Sequence, residues 1–427
     1  MSPLTGTKTT HTRVGPFTFE RQTMKFKKTA SFGAVVALAL AGVAFVAAPA
    51  NAEPTTPTGG YTLAGSDTIQ DVVNALVNGT SVTGSFVQVK ASGVPNASFD
   101  AFPNTGSGSF IQTKSGSQFK YFLRPSGSGD GINSMIASFN LKNNGYQWSK
   151  TGSQSLQGYV DIARSSGGPK TLDSNQSSPA ASDIAFVPFA RDAVSYAYVE
   201  DASWSQSQKD AVAALSGADL KNLYDGTQPV AGVTLRPLLP QSSSGTRKFF
   251  LGNGGGTGLG YSNNNKPAGV ATGDDAKQEN VATELSAVGV GAVIPFSAAG
   301  WIAQSNGAVP FNSIAAANTA LGSAGSVKLG NPLSSSTTVY TGTSSLTPTA
   351  AYYASTTWGR NTYLVTALSA LANDAKVAAL LDPTKTGATS LAGYGTLPST
   401  PGAVKTKFGF LAPSTTNIVY ALSSDTY

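Results

Sequence analysis

The chain has 427 residues, a formal net charge of +6, one histidine and no cysteine. The missing cysteine excludes disulfide frameworks, thiolate metal sites and cysteine nucleophiles. The one histidine, His11, precedes a segment that reads as a secretion signal, so Ser-His-Asp catalysis is not expected in the exported chain.

Met24, Lys25, Lys27 and Lys28 open that signal, residues 34–48 are apolar, and Ala50 and Ala52 flank Asn51 as small residues do at a cleavage site. Residues 1–52 are therefore expected to be a leader and secretion signal, with a true start at Met24. The apolar run is Ala-rich and is broken by Pro49, which argues against a membrane span. This leader holds six of the 28 Lys and Arg and one of the 22 acids. The remainder is nearly neutral, which gives no support for nucleic acid or an anionic membrane as partner. With no cysteine to carry a lipid anchor, a released, extracellular monomer is expected.

Residues 53–60 read as a flexible lead-in. Over 61–76 a short strand meets a polar loop and then a helix: Asp67 and Gln70 have capping-box spacing, and Ile69, Val72, Val73 and Leu76 share a face. Residues 85–89 alternate as a short strand. Over 121–139 the strand, loop and helix recur, with Arg124 before a glycine-spaced loop and Ile132, Met135, Ile136 and Phe139 on one helical side. No acid closes a following strand as in a dinucleotide site, and no lysine follows as in a P-loop. Residues 159–169 run from a strand into Arg164, Ser165 and Ser166, and 182–200 predict two strands bent between Pro188 and Asp192.

Helices are predicted over 205–215 and 218–224, with Gly226 as the stop. The third strand, loop and helix start lies at 233–251, where PQSSSGT precedes Arg247 and Gly252 ends the turn. After a glycine-rich loop at 252–260 come a helix at 280–285 and a buried strand at 288–296. A helix carrying Tyr363, Leu364, Ala367, Leu368 and Leu371 is predicted within 350–374, another over 375–381, and a closing strand within 403–411. Alternating strands and helices indicate an α/β fold. Residues 53–427 exceed one ordinary core, so two lobes are expected.

A hydroxyl-rich loop before a helix offers unpaired backbone N–H groups, and the natural guest is an anion. No DxD-type carboxylate cluster borders these loops; Asp274 and Asp275 read as a surface turn. Binding without catalysis, metal or cofactor is the expectation.

The order of GSDT at Gly65, GSGDGI at Gly127, DIARSS at Asp161, FVPFARDAVSYA at Phe186, LSGADLKNLYDG at Leu215, SSSGT at Ser242 and GAVIPF at Gly291 resembles the phosphate-binding proteins of phosphate ABC transporters, within the type II periplasmic binding protein fold. The resemblance implies two α/β lobes closing on a dehydrated phosphate or related oxyanion, with a transporter permease as partner. The lobes are expected at 53–192 plus 301–427 and at 193–300. Carried over by motif, the ligand groups are Asp67, Thr68, Ser128, Ser244, Gly245 and Thr246. The family's aspartate falls on Ser166 and its arginine on Pro240, so Asp67 is the expected replacement acceptor and Arg164 or Arg247 the replacement cation, with Arg124 a weaker third. The insertion at 133–160 is expected to reshape the cleft entrance. The two departures also favour an alternative, an interaction module on the same fold that binds no oxyanion.

Overall fold

The computed structural model describes residues 60–102, 109–114, 121–142, 148, 150, 155–227, 230–333, 337–425 and 427. The expected leader lies outside these residues, as does part of the 133–160 insertion.

One 18-residue strand, Ile184–Asp201, ties the sheet together, and nearly all of it is buried. Burial on both faces explains its near-continuous apolar sequence. The predicted bend exists as a β-bulge within one strand: Thr362 pairs with Ala190 but Tyr363 with Pro188, so Phe189 has no partner in that register. A proline there costs little, because the ladder is already interrupted.

Nine strands form the main sheet: β1 (Tyr61–Gly65), β2 (Asn96–Ser98), β3 (Ile162–Ser165), β4 (Ile184–Asp201), β5 (Arg236–Pro237), β6 (Ala292–Ser297), β7 (Gly325–Leu329), β8 (Gly359–Ala367) and β9 (Val419–Ala421). Their order is β2-β1-β3-β8-β4-β6-β5, with β7 and β9 also paired to β4. β4 changes partners midway: Ile184 to Ala193 pair with β8, while Val194 to Tyr198 pair with β6. The sheet therefore has two halves, and the mixed α/β, two-lobed architecture follows from that exchange. β7 pairs with Ala197–Asp201 of β4, beside β6. The sheet receives no further strand of its first half until β8 begins at Gly359, while Ala299 and Ala303 already pack on the first-half core.

The cores obey the twofold alternation of a strand. Val187 and Leu364 face the cluster around Leu63, Val73, Leu76 and Phe408. Their neighbours Phe186 and Val365 face the opposite cluster around Ile132, Met135 and Ile136. In the second half Tyr196 and Tyr198 face one side, and Ala197 and Val199 the other.

Two predicted elements change type. Of 350–374, only Ala350–Tyr353 and Leu368–Asn373 are helical, and Gly359–Ala367 is the strand β8. Between β3 and β4 both its faces are buried, so its apolar residues match helical spacing as well as strand spacing, and the β-branched Thr362, Val365 and Thr366 decide for strand. The closing strand expected within 403–411 is instead a helix, Pro401–Lys407, because Thr400 caps it by accepting from the Ala403 N–H and Pro401 suits its first turn. The strand expected at 85–89 reduces to a single bridge between Thr80 and Val87. Among the described residues no helix is long and apolar enough to cross a membrane.

Lys405, on that last helix, is fully buried; its Nζ donates to the Phe189 and Gly393 carbonyls at 2.7 and 3.0 Å and lies 4.0 Å from the Phe189 ring centroid. Burial holds its ammonium well below the usual lysine range. Because the folded pKa is depressed, the unfolded chain binds more protons across the interval between the two values, and stability rises with pH there. Urea denaturation is expected to show the wild type gaining stability over Lys405→Met as pH rises from neutral toward the usual lysine range; parallel curves would contradict this.

Candidate functional site

The loops after β1, β3 and β5 come together where β4 exchanges partners, at the carboxyl ends of parallel strands. β1 ends at Gly65, with φ of 116°; a Cβ there would lie 2.7 Å from the Arg164 carbonyl oxygen, so glycine is required. The chain then turns through Asp67 and Thr68 into helix α1 (Gln70–Asn78). The expected Asp67 capping box does not form: Ile69 is the N-cap without a side-chain bond, and the Gln70 Oε1 accepts from the Ala101 N–H at 2.6 Å.

On the other half of the sheet Ser244 starts the short helix α3 (Gly245–Leu251), its hydroxyl accepting from the Arg247 N–H at 3.0 Å. Thr68 and Thr246 meet across the halves with their Oγ1 atoms 3.3 Å apart. Between these loops lies the carboxylate of Glu279, fully buried. Its Oε1 accepts from the Thr68 hydroxyl at 3.0 Å, and its Oε2 accepts from the Ser244 hydroxyl and, at 3.4 Å, from the Thr246 N–H. Asn280, held at φ 59°, donates to Thr68 at 3.2 Å and accepts from the Ser297 N–H at 2.8 Å, which fixes the turn that aims Glu279 inward.

The cation of the site is Arg360, on β8. It stands opposite Asp192 in the strand register, and its Nε and Nη2 donate to Asp192 Oδ2 at 3.0 and 2.8 Å. Nη2 also donates to Thr246 Oγ1 at 2.9 Å. Asp192 Oδ1 accepts from the Ser297 hydroxyl at 2.9 Å and the Ala299 N–H at 3.1 Å. Arg360 is 4 % exposed and Asp192 wholly buried, yet Arg360 Nη1 has no hydrogen-bond partner among the described residues. A buried guanidinium nitrogen without an acceptor is costly, and a bound anion would satisfy it.

Asp67 lies beside Glu279. Burial first, and then the neighbouring Glu279 carboxylate, hold the Asp67 carboxyl well above the usual range.

Ser128, Ser166 and Gly245 form an adjoining contact. Ser128 opens helix α2 (Ser128–Ser138); its Oγ is 3.2 Å from the Ser166 Oγ and accepts from the Ser166 N–H at 2.9 Å. A Cβ on Gly245 would lie 2.4 Å from the Ser128 Oγ and 2.5 Å from the Ser166 Oγ, so only glycine lets these loops approach.

The two expected replacement arginines both direct their donors to the protein itself. Arg164 is fully buried, and it donates from Nε to the Ser66 carbonyl, from Nη1 to the Ser98 Oγ, and from Nη2 to the Gly65 and Phe99 carbonyls. It braces the loop backbone from behind. Arg247 likewise spends its donors on Asn264 and on the carbonyls of Pro240 and Asp275. Asp274, expected in a surface turn, is buried and paired with Arg236 at 2.6 Å. Of the expected residues, Thr68, Ser244 and Thr246 surround the Glu279 carboxylate with Asp67 beside it, and Ser128, Ser166 and Gly245 pack next to them. Sequence reading missed Arg360, Asp192 and Glu279.

A cavity of about 460 Å³ opens beside the Asp67–Glu279 pair, lined among others by Gln70, Gln278, Asn280, Gln304 and Phe311. Hydroxyl and amide donors of Thr68, Ser244 and Thr246 thus converge on the Glu279 carboxylate, and the Arg360 guanidinium reaches this group through Thr246. Among the described residues no group of three His, Cys, Asp or Glu side chains is placed to hold a metal.

No family model matches the chain, and no curated protein matches it. Solved structures that do match include a possible phosphate-binding protein from Planctomyces limnophilus, at 13% identity over 76% of this chain and 86% of that one, with a TM-score of 0.33. Another is PstS from Borrelia burgdorferi, at 12% identity over 83% of this chain and 99% of that one, with a TM-score of 0.36. Likeness at this level leaves fold and ligand to be read from the chain itself.

Arg360→Leu is expected to lose about 3–5 kcal/mol of stability in a urea titration, because Asp192 is left buried without its counter-charge. Adding Asp192→Asn should recover most of that loss, since a neutral amide needs no cation. A single-variant loss below about 1 kcal/mol would contradict the burial of this pair.

Proposed function

We propose that the chain is a solute-binding protein for phosphate or a related oxyanion, held between the two halves of the sheet by Thr68, Ser244, Thr246 and Arg360, with Ser128, Ser166 and Gly245 forming the adjoining wall. The observation that carries this reading is Glu279: three of these residues, Thr68, Ser244 and Thr246, already hold an oxyanion, in the form of a carboxylate, at hydrogen-bond distance. The unpartnered Nη1 of Arg360 supports it. Charge-assisted hydrogen bonds contribute about 1.5–3 kcal/mol each, so four or five such contacts, less the dehydration of the ion, reach the roughly 8 kcal/mol of a micromolar Kd. Recognition by a transporter permease is the role that the sequence resemblance implies for such a site. A second reading, an interaction module without a small ligand, is favoured by the same Glu279, because a cradle permanently filled by its own chain binds nothing else.

Calorimetric titration with phosphate and then sulfate separates the two. Micromolar phosphate binding that disappears in Thr246→Val is expected. A folded protein that gives no heat with either ion would leave the interaction-module reading.

A further inference from the structure

We infer that Glu279 is a built-in competitor of the ligand: its carboxylate occupies the oxyanion cradle, and loading requires it to swing into the adjoining cavity. This rests on the oxyanion-binding reading above.

Three donors that an oxyanion would use are engaged by Glu279, namely the Thr68 hydroxyl, the Ser244 hydroxyl and the Thr246 N–H. An external oxyanion and the Glu279 carboxylate therefore exclude each other. Glu279 is fully buried and has no arginine or lysine within ion-pair distance among the described residues, a poor device for stability, since desolvation outweighs what neutral donors return. Displacement also has somewhere to go. The 460 Å³ cavity is lined by Glu279 itself and by Gln70 and Gln278, whose side-chain amide N–H groups can donate to a carboxyl group, while Asn280 and Gln304 are held by Thr68, Ser297, Ser313 and the Asn280 carbonyl.

The charges around this path set its direction with pH. Asp67, from the loop after β1, touches Glu279, and Asp71, on α1, lines the cavity; burial and then the nearby Asp100 carboxylate raise the Asp71 carboxyl to about 7. Arg360, neutralised by Asp192, reaches the cradle through Thr246. Lys248 on α3 also feels Glu279, and burial lowers its ammonium to about 8. At about pH 8 the Asp71 carboxyl, raised to about 7, is charged, and Glu279 would enter a cavity that already holds a carboxylate; as pH falls through about 7 Asp71 takes up a proton, the cavity receives Glu279 more easily, and oxyanion affinity rises.

The test is calorimetric titration of wild type, Glu279→Gln and Glu279→Ala with inorganic phosphate at about pH 5.5 and about pH 8. Both variants are expected to bind at least about tenfold tighter than wild type at the higher pH. The wild type's gain on acidification should exceed that of Glu279→Gln, phosphate's own titration being common to both. If Glu279→Ala fails to fold, Glu279→Gln, which keeps the side-chain shape, carries the comparison. Wild-type binding with equal or weaker binding by the variants overturns the role of Glu279 and leaves the oxyanion reading standing. Folded proteins that bind no phosphate in any form, by circular dichroism and calorimetry together, overturn both.

Discussion

The Asp192–Arg360 pair is the contact on which the site depends. It forms where β4 changes partners, between residues facing each other across two central strands. Such a pair, wholly desolvated, tolerates little displacement, because either charge alone would be stranded in the interior. Through Asp192 it fixes Ser297 and the start of the helix at Ala298; through Arg360 it reaches Thr246 on the far loop. The two halves of the sheet are thereby coupled by the group that also offers an unpartnered donor.

The cradle joins two opposed tendencies. Its hydroxyls, amide and arginine favour an anion, while Asp67 and Glu279 place carboxyl groups in the same small volume. The donors around Glu279 and the upward shift of the Asp67 carboxyl reconcile them. Hydroxyl and amide donors suit this double use, since they accept a carboxylate or a tetrahedral oxyanion with little rearrangement, whereas a bidentate arginine fork would commit to one geometry.

Thr68, Ser244 and Thr246, which surround Glu279, were expected from the sequence for a local reason. They sit where a short strand gives way to a polar loop and a helix, and that pattern places its own backbone and hydroxyl donors. Arg360 was hidden because β8 is buried on both faces, so Tyr363, Leu364 and Ala367 satisfy helical spacing and the stretch reads as a helix. Arg164 and Arg247 lie in the right loops, but sequence order carries no information about which carbonyls consume their donors. Glu279 had no signal at all: it belongs to no regular element, and its partners Thr68 and Ser244 lie 211 and 35 residues away. The alternating strands and helices disclosed the fold class, whereas the addition of β7 beside β6 is a pairing that no local pattern encodes.

The most direct test of the oxyanion cradle is a crystal structure of the protein grown at acid pH with phosphate. The account predicts a phosphate within hydrogen-bond distance of Thr68, Ser244, Thr246 and the Nη1 of Arg360, with the Glu279 side chain turned into the neighbouring cavity. A structure in which Glu279 still accepts from Ser244 and Thr246, and phosphate is absent or bound elsewhere, would contradict it.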